Sequence, residues 1–486
     1  MNSEWITGPG GPRVGSRLPL FDTASTRLIE AQAAHHQPTG FLMQRAGLAL
    51  AQLTLAVAPH AQLVWVACGR GNNGGDGLEA ALHLHRWGKS VHVSLPEGGG
   101  ALPSDAALAL ERASQAGLTI HSEPPVHWDA CIDALLSIGL RDAPTSVYAD
   151  WIGRIRAGQG PVISADIPSG LHADTGAVPG ACIRASHTLA LLGLKPGQFT
   201  AQGRDLCGDI WLNTLSADHV TPPPAWLNPA PEALARPHAS HKGSYGDVAI
   251  VGGTGGMEGA AVLAARAALH AGAGRVYLAL LASGHESPGV PRPADLMLRS
   301  TGSLRPETCT VVAGCGGGEE IADTLPRWLK ESARLVLDAD ALNAIAISPT
   351  LQSLVQQRRA DTTLITPHPL EAARLLGCSV ADVQADRLAA AQRLATHLQC
   401  AVILKGSGSV IAAPRQTLHI NPTGNGQLAV AGTGDVLAGM AGASLAHTAS
   451  AWTAACTASY RHGVLADSWP ADVALTATRL VDSIQK

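Results

Sequence analysis

The sequence predicts two α/β domains in tandem, because apolar runs of strand length alternate with helical patterns on both sides of a proline-rich segment. The 486 residues are too many for one ordinary core, which independently favours two or three domains. Alternation of this kind is typical of a mostly parallel sheet that helices cover on both faces. We therefore expect a three-layer first domain, with ligands bound beyond the carboxyl ends of its strands.

The domain boundary is expected at residues 221–237, which read TPPPAWLNPAPEALARP. So many prolines predict a linker that carries neither helix nor strand. We accordingly place the first domain at residues 17–220 and the second at residues 238–486.

Composition and targeting signals exclude several classes of protein. Only 15% of the residues are charged and no long basic run occurs, so nucleic acid is not an expected partner. Residues 436–460 lack Asp, Glu, Lys and Arg, but they are rich in Ala, Gly, Ser and Thr, which predicts two packed helices and no membrane span. Scattered cysteines without a CxxC pair and an N-terminus without an apolar signal core predict a cytoplasmic protein. We also expect a homo-oligomer that acts on small molecules.

A glycine-rich turn, GRGNNGGDG at residues 69–77, follows the first strong strand pattern. Glycines at the start of a helix let backbone N–H groups approach an anion, although an ordinary tight turn would also use them. The spacing is not that of a Walker motif. Because Asn72, Asn73 and Asp76 add side-chain oxygens that a turn does not need, we favour a binding function.

Two further strand ends carry aspartates. Asp133 opens the run DALLSIGL, and Asp166 opens DIPSGL, in which Ser169 follows. Carboxyl ends of neighbouring parallel strands meet at one crevice, so these oxygens would suit a weakly held cation. For any one of these aspartates, a helix cap is the common structural alternative.

With LMQRAG at residues 42–47 and ADIPSGLHADTG at residues 165–176, these motifs resemble the NAD(P)HX epimerase domain over roughly residues 17–220. The resemblance implies a Rossmann-like fold and a potassium ion held by Asn73, Asp133 and Ser169. Asp166 would be the catalytic base. Substrate contacts would come from Asn72, Asn73, Gly74, Gly75, Asp76, Ser137, Ile138, Gly139, Leu140, Arg141, Asp142, Ala143 and Asp166. Ser137 departs from the glycine that usually stands at this position.

The strongest signal in the second half is AGTGDVL at residues 431–437, where a glycine turn opens an alanine-rich helix. The N–H groups of Thr433, Gly434 and Asp435 would hold an anion, and Asp435 beside it could accept a hydroxyl proton. An acidic residue in a first helical turn otherwise contributes only ~0.5 kcal/mol through the helix dipole. The glycines on both sides of the threonine favour the catalytic role.

Other strand ends are expected at the same crevice. A lysine lies between apolar residues and glycines in VILKGSGS at residues 402–409, a pattern suited to nucleotide phosphate or ribose. The runs TPHPLE, DADALN and GCGGG occupy residues 366–371, 338–343 and 314–318. Each alone could be a plain turn between strand and helix, but their co-occurrence indicates a site.

With HKGSYG at residues 241–246, these runs resemble the ribokinase-like family, and most closely its NAD(P)HX dehydratase branch, over about residues 235–483. The resemblance implies ADP or ATP as co-substrate, of which we expect ADP, together with Mg²⁺. Residues facing the hydrated substrate would be Ala260, Gly318, His368 and Asp435. Residues facing the nucleotide would be Lys405, Gly406, Ser407, Gly408, Ser409 and Gly434. Cys315 stands where that family prefers proline, and Leu370 where it prefers glycine.

Both resemblances in this order imply repair of hydrated nicotinamide cofactors. The first domain would interconvert the R and S hydrates, NADHX and NADPHX. The second would phosphorylate the S hydrate from ADP, with Asp435 as base, and expel phosphate to give NAD(P)H and AMP. The alternative is a small-molecule kinase for a vitamin precursor, joined to a non-catalytic ligand-binding module. The joint presence of Asn73, Asp133 and Asp166 favours repair.

Overall fold

The structure is a computed structural model, and it describes residues 3–7, 17–98, 100–218, 221–232, 236–281 and 293–484. The chain forms two compact units: of the described residues, 3–7 and 19–225 belong to the first, and 17–18 and those from 226 onward belong to the second. Each unit contains a twisted sheet with helices packed on it, so the predicted α/β class is confirmed.

The first unit is built on a sheet in which only one described strand runs antiparallel to its neighbour. The order across the sheet is Glu4–Thr7, Asp209–Asn213, His187–Leu191, Val162–Ala165, Ala130–Ala134, Leu63–Cys68, Ser90–Ser94 and Ile120–His121. The antiparallel strand is Glu4–Thr7 at one edge. The helices are Thr23–Ala34, Phe41–Val57, Asn72–Arg86, Ser104–Gln115, Val147–Ala157 and Gly203–Leu206.

Both faces of the first sheet are buried, as its central strand Leu63–Cys68 shows. Val64 and Val66 pack into one core cluster, whereas Trp65 and Ala67 pack into another on the opposite face. Successive side chains of a strand point to opposite faces, so a continuous apolar run requires cover on both sides. The predicted three layers of the first domain are thereby confirmed.

The second sheet is parallel over most of its width and antiparallel toward one edge. Its order is Met297–Leu298, Arg275–Leu280, Asp247–Gly252, Thr310–Ala313, Arg334–Leu337, Thr363–Ile365, Ala401–Leu404, Val410–Ala412, Leu418–Ile420 and Ala225–Leu227. Its helices are Glu258–His270, Ile321–Glu331, Asp340–Ile347, Pro349–Gln356, Pro369–Leu376, Val380–Ala385, Arg387–Leu398, Thr433–Thr448, Ala451–Asp467 and Ala477–Asp482. Val312 packs on one face, and Val311 and Ala313 pack on the other.

The segment rich in small residues forms two helices, Thr433–Thr448 and Ala451–Asp467, as expected. Its glycines permit close packing: a Cβ on Gly439 would lie 2.1 Å from the carbonyl oxygen of Ala264. No helix among the described residues is both long and apolar enough to cross a membrane.

The segment from Val380 to Leu398 forms two helices, because the chain breaks at Asp386. That residue has φ −145° and separates Val380–Ala385 from Arg387–Leu398. Its carboxylate accepts the N–H of Ala389 at 2.9 Å, so it caps the second helix.

The proline-rich segment contains the strand Ala225–Leu227, so the expectation that it carries no strand is wrong for these three residues. The strand is free of proline and lies beside Leu418–Ile420. Next to it, the N–H of Asn228 donates to the Ile420 carbonyl at 2.9 Å, and its side-chain amide donates to Asn421 Oδ1 at 3.1 Å. The prolines lie outside the paired residues, where no ladder hydrogen bond is lost.

This strand predicts where the second unit can be separated from the first. A fragment beginning at residue 221 should fold, whereas one beginning at residue 236 should be less stable by about 2–3 kcal/mol, since it loses the buried Leu227 and Asn228. Urea unfolding of the two fragments measures the difference. Equal midpoints would show that this strand contributes nothing to the stability of the second unit.

Candidate active sites

A cavity of about 940 Å³ lies at the carboxyl ends of the strands of the first unit. Asn72, Asn73, Asp76, residues 137–142 and Asp166 line it, as the sequence predicts. The predicted residues Gly74, Gly75 and Ala143 are not among the lining residues. The two glycines allow close packing instead: a Cβ on Gly74 would lie 1.8 Å from the Gly69 carbonyl oxygen, and one on Gly75 would lie 2.5 Å from Met43.

Asp133 and Ser169 are fully buried beside this cavity. The Asp133 carboxylate accepts the Ser169 hydroxyl at 2.6 Å, the Ser169 N–H at 2.9 Å and the Ser164 hydroxyl at 2.7 Å. Nearby, Asn73 Nδ2 donates to the Leu136 carbonyl at 2.8 Å, and that oxygen also lies 3.3 Å from Ser169 Oγ. The structure therefore brings the three predicted cation ligands together.

One atom of this cluster lacks a partner. Asn73 Oδ1 is buried and accepts no hydrogen bond from the described part of the chain. A buried amide oxygen without a partner costs about 1–3 kcal/mol, so it indicates a ligand that fills the position.

Asp166 occupies an unusual backbone conformation at the end of strand Val162–Ala165. Its φ is +65°, and the N–H of Leu191 donates to its Oδ1 at 2.9 Å. Lys195, which sequence reasoning missed, forms an ion pair with the same oxygen and donates to the Leu191 carbonyl at 2.7 Å. The available signal was GLKPGQ at residues 193–198, a lysine and glycines directly after a strand.

Four other carboxyl groups line the cavity, and the charge of Asp166 acts on two of them, Asp76 and Glu30. Burial, reinforced by the negative charge of Asp166, raises the pKa of Asp76 well above its usual range. The same two causes raise the pKa of Glu30, which lies on helix Thr23–Ala34 and was not predicted. Asp76 therefore favours its protonated form and is suited to act as an acid near Asp166.

The second unit also places an aspartate and a lysine together at the strand ends. Lys405 Nζ donates to Asp338 Oδ1 at 2.9 Å, and the Thr366 hydroxyl donates to the same oxygen at 2.6 Å. Burial acts to lower the pKa of Lys405, but the carboxylates of Asp338 and Glu371 outweigh it and raise that pKa. The lysine is thus held as a cation at the site.

Helix Thr433–Thr448 begins at this cationic group. Gly432 has φ +89°, a conformation that glycine adopts without strain, and it turns the chain into the helix. A Cβ on Gly434 would lie only 3.3 Å from Lys405 Nζ, so the ammonium group lies at the helix N-terminus. Beneath the turn, buried His462 Nε2 lies 3.0 Å from the Thr433 carbonyl oxygen. The Thr433 N–H donates to the Val430 carbonyl at 3.4 Å, so the N–H groups of Gly434 and Asp435 remain to form an anion site with the ammonium group.

Asp435 lies in the first turn of that helix, half-buried beside Asp338 and Cys315. Ligand atoms of these three residues lie within 4.8 Å of one another. Burial and the charge of Asp338 raise the pKa of Asp435 to about 6, although the Cys315 thiol and Lys405 act in the opposite direction. At neutral pH, Asp435 is therefore an ionised base with raised proton affinity.

The other predicted substrate residues have clear structural roles. His368 caps helix Pro369–Leu376: its Nδ1 accepts the N–H groups of Leu370 and Glu371 at 3.1 and 3.4 Å. The proton of the neutral ring is therefore on Nε2. The Gly318 N–H donates to Asp340 Oδ2 at 2.9 Å. Ala260 packs against the GCGGG turn, since a Cβ on Gly316 would lie 3.0 Å from its own Cβ.

A buried guanidinium group, that of Arg387, supports the predicted nucleotide loop, which consists of Lys405, Gly406, Ser407, Gly408 and Ser409. Arg387 donates to the carbonyls of Leu404 and Lys405, each at 3.2 Å. Gly406 has φ +143°, and a Cβ there would lie 2.7 Å from Arg387. The loop is therefore supported from below, with its backbone directed by glycines.

Two family models match the chain. A model described as NAD(P)H-hydrate dehydratase matches residues 248–486, and one described as YjeF-related protein N-terminus matches residues 39–197. Bifunctional NAD(P)H-hydrate repair enzyme Nnr of Escherichia coli K12 is 37% identical over 92% of this chain and 88% of its own length. The enzyme of the same name from Coxiella burnetii is 34% identical over 92% of this chain and 94% of its own length.

Two solved structures resemble the second unit. One is an ADP/ATP-dependent NAD(P)H-hydrate dehydratase from Bacillus subtilis, co-crystallised with ATP and Mg²⁺, at TM-score 0.43 and 29% identity over 51% of this chain and 91% of that one. The other is a ribokinase-like superfamily protein from Enterococcus faecalis, at TM-score 0.46 and 25% identity over 51% and 89%. On the sequence identities to the full-length relatives, the chain belongs to the family of bifunctional NAD(P)H-hydrate repair enzymes.

Proposed function

We propose that the chain restores NADH and NADPH from their hydrates by two successive reactions. The first unit interconverts the R and S hydrates, and the second converts the S hydrate to NAD(P)H at the expense of ADP, giving AMP and phosphate. The observation that best supports this proposal is that the chain holds two separate strand-end sites, each with an aspartate–lysine pair. The family to which the chain belongs is one of bifunctional repair enzymes. A vitamin-precursor kinase would need only the second site.

In the second unit, Asp435 accepts the proton of the hydrate hydroxyl while that oxygen attacks the terminal phosphorus of ADP. The helix N-terminus and Lys405 stabilise the negative charge on the transferring phosphoryl group. The ring nitrogen lone pair then expels phosphate as the C–O bond breaks, and loss of the neighbouring ring proton restores the double bond. Phosphorylation thus converts a poor leaving group into a good one.

Mg²⁺ suits the oxygen donors of this site. It is usually held by substrate phosphates, water and one or two carboxylates. Asp340, whose carboxylate lies at the GCGGG turn, would supply such an oxygen. The ion would neutralise charge on the phosphate groups.

In the first unit, Asp76 and Asp166 are suited to opposite proton transfers. Protonated Asp76 would donate to the hydroxyl of the hydrate, so that the ring nitrogen lone pair expels water. Asp166 would accept a proton from the water that returns to the opposite face of the ring. A carboxylic acid with raised proton affinity beside a second carboxyl group that serves as base is a recurrent catalytic arrangement.

Potassium is supported by the oxygen cluster beside the cavity. Asn73 Oδ1, Ser169 Oγ and Asp133 would hold the ion, with the Leu136 carbonyl as a further oxygen donor. Bound there, it would fix the loop at residues 137–142, which lines the cavity.

Three finer expectations remain predictions. They are ADP as preferred phosphoryl donor, a homo-oligomer and a cytoplasmic location. All nine cysteines are unpaired, which supports a reducing location such as the cytoplasm.

The potassium proposal predicts a selective loss. Asn73→Ala removes the unpartnered oxygen, so epimerisation should become insensitive to potassium while dehydration of the pure S hydrate is unchanged. Exchange of R and S hydrates is followed by chromatography in KCl and in NaCl. Undiminished stimulation by potassium would show that the ion binds elsewhere.

Substitution of the two catalytic aspartates should impair different reactions. Asp166→Asn should slow epimerisation, and Asp435→Asn should slow dehydration, each by roughly 10²- to 10⁴-fold, because Asn cannot accept the proton. Each variant serves as the control for the other, since the second activity reports on folding. If Asp435→Asn keeps dehydration within about threefold, Asp435 is a structural helix residue.

Dehydration should also depend on pH through Asp435. Its pKa of about 6 means that the base is protonated below that pH. The kcat/KM for the S hydrate should therefore rise with pH up to about 6 and then level off, and this limb should vanish in Asp435→Asn. A limb near pH 7 would instead point to Glu371, whose pKa burial raises to about 7.

A further inference from the structure

We propose that Lys195 is a positioning residue of the epimerase reaction, which fixes Asp166 through an ion pair with its Oδ1 so that its second carboxylate oxygen faces the substrate. This inference rests on the proposed function, because it takes Asp166 as the base. None of the sequence motifs that predicted the site includes this lysine.

Lys195 is completely buried, although lysine is among the residues least often found in a protein interior. Its ammonium group has two partners, the Asp166 carboxylate and the Leu191 carbonyl at 2.7 Å. Burial of such a pair costs several kcal/mol in desolvation, and an apolar pair of similar size is often as stable or more stable. Stability alone is therefore a weak explanation for the lysine.

The contacts of Asp166 are arranged on one side of its carboxylate. The Leu191 N–H and Lys195 Nζ both donate to Oδ1. No donor to Oδ2 is seen among the described residues, and Asp166 itself lines the cavity. One oxygen is thus anchored, and the other is left for a proton from the reacting water or hydroxyl.

Lys195 does not line the cavity, so it acts through Asp166 and not on the substrate. It is itself fixed by the short helix Pro196–Gln198. Its N–H donates to Gln198 Oε1 at 2.9 Å, while Gln198 Nε2 donates to the Asp166 carbonyl at 3.0 Å. This closed set of contacts also supports the positive φ of Asp166.

The charge of Lys195 matters because five carboxyl groups line this cavity: Glu30, Asp76, Asp105, Asp142 and Asp166. Asp76 and Glu30 both face Asp166 closely enough for its charge to raise their pKa values. The charge of Lys195 acts in the opposite direction on Glu30, but burial and Asp166 outweigh it there. The direct ion pair of Lys195 is with Asp166, whereas Asp76 and Glu30 have raised proton affinity.

The test uses the full-length protein with three substitutions: Lys195→Met, Asp166→Asn and the two combined. Met has nearly the length of Lys without the charge. Lys195→Met should lower kcat for epimerisation about 100-fold with KM changed less than about threefold, because a displaced catalytic group costs rate more than binding. The combined variant should be no slower than Asp166→Asn alone, since Lys195 acts only through Asp166.

Lys89→Met is the matched control, because Lys89 Nζ also donates to two carbonyls, those of Pro59 and Ala61, but lies away from the cavity. It should epimerise normally, and dehydration by every variant reports on folding. Should Lys195→Met fail to fold, the neutral pair in the combined variant should refold, and its rate is compared with that of Asp166→Asn. If Asp166→Asn is slow but Lys195→Met is normal, the role proposed for Lys195 is wrong. The same holds if the losses of the two single variants multiply in the combined variant. In both cases Asp166 remains the base. A normal Asp166→Asn would overturn the proposed base as well.

Discussion

The burial of an aspartate against a lysine where parallel strands end is the constraint on which both sites depend. In the first unit the pair is Asp166 and Lys195, and in the second it is Asp338 and Lys405. Such a pair is tolerated only when hydrogen bonds complete both groups. In the first unit the N–H and carbonyl of Leu191 form these hydrogen bonds with Asp166 and Lys195. In the second unit the Thr366 hydroxyl donates to Asp338.

The two pairs serve different chemistry because different groups lie beside them. In the second unit the ammonium group lies at a helix N-terminus, where positive charge converges on an anion. In the first unit Lys195 is buried and does not line the cavity. Asp166 does line it, and its charge acts on the carboxyl groups of Asp76 and Glu30. Phosphoryl transfer needs charge neutralisation, whereas epimerisation needs a base and an acid that do not neutralise each other.

Cys315 places a thiol beside the two carboxyl groups of Asp338 and Asp435 in the second site. Burial and the charges of Asp435 and Asp338 raise the pKa of its thiol well above the usual range, so it remains protonated. It can therefore donate to the carboxylates on either side, which a proline at this position could not do. This contact opposes the rise in the pKa of Asp435.

Local patterns predicted much of this arrangement. Asp166 and Asp435 were found from sequence because each lies in a short run of glycine and small residues at the end or start of an element. Lys195 was not found, because its partner is 29 residues away and the two meet only through neighbouring strands. The unpartnered oxygen of Asn73 and the capping role of His368 likewise depend on distances that no spacing encodes.

The central claim is that these charged pairs are present for chemistry and not for stability. The most direct test replaces Asp338 and Lys405 together by Asn and Met, and measures thermal unfolding beside dehydration of the S hydrate. We predict a melting temperature that is unchanged or higher, with dehydration slowed at least ~10²-fold, because the pair no longer provides charge at the phosphoryl site. A variant that loses stability but keeps its turnover per folded molecule would contradict the claim.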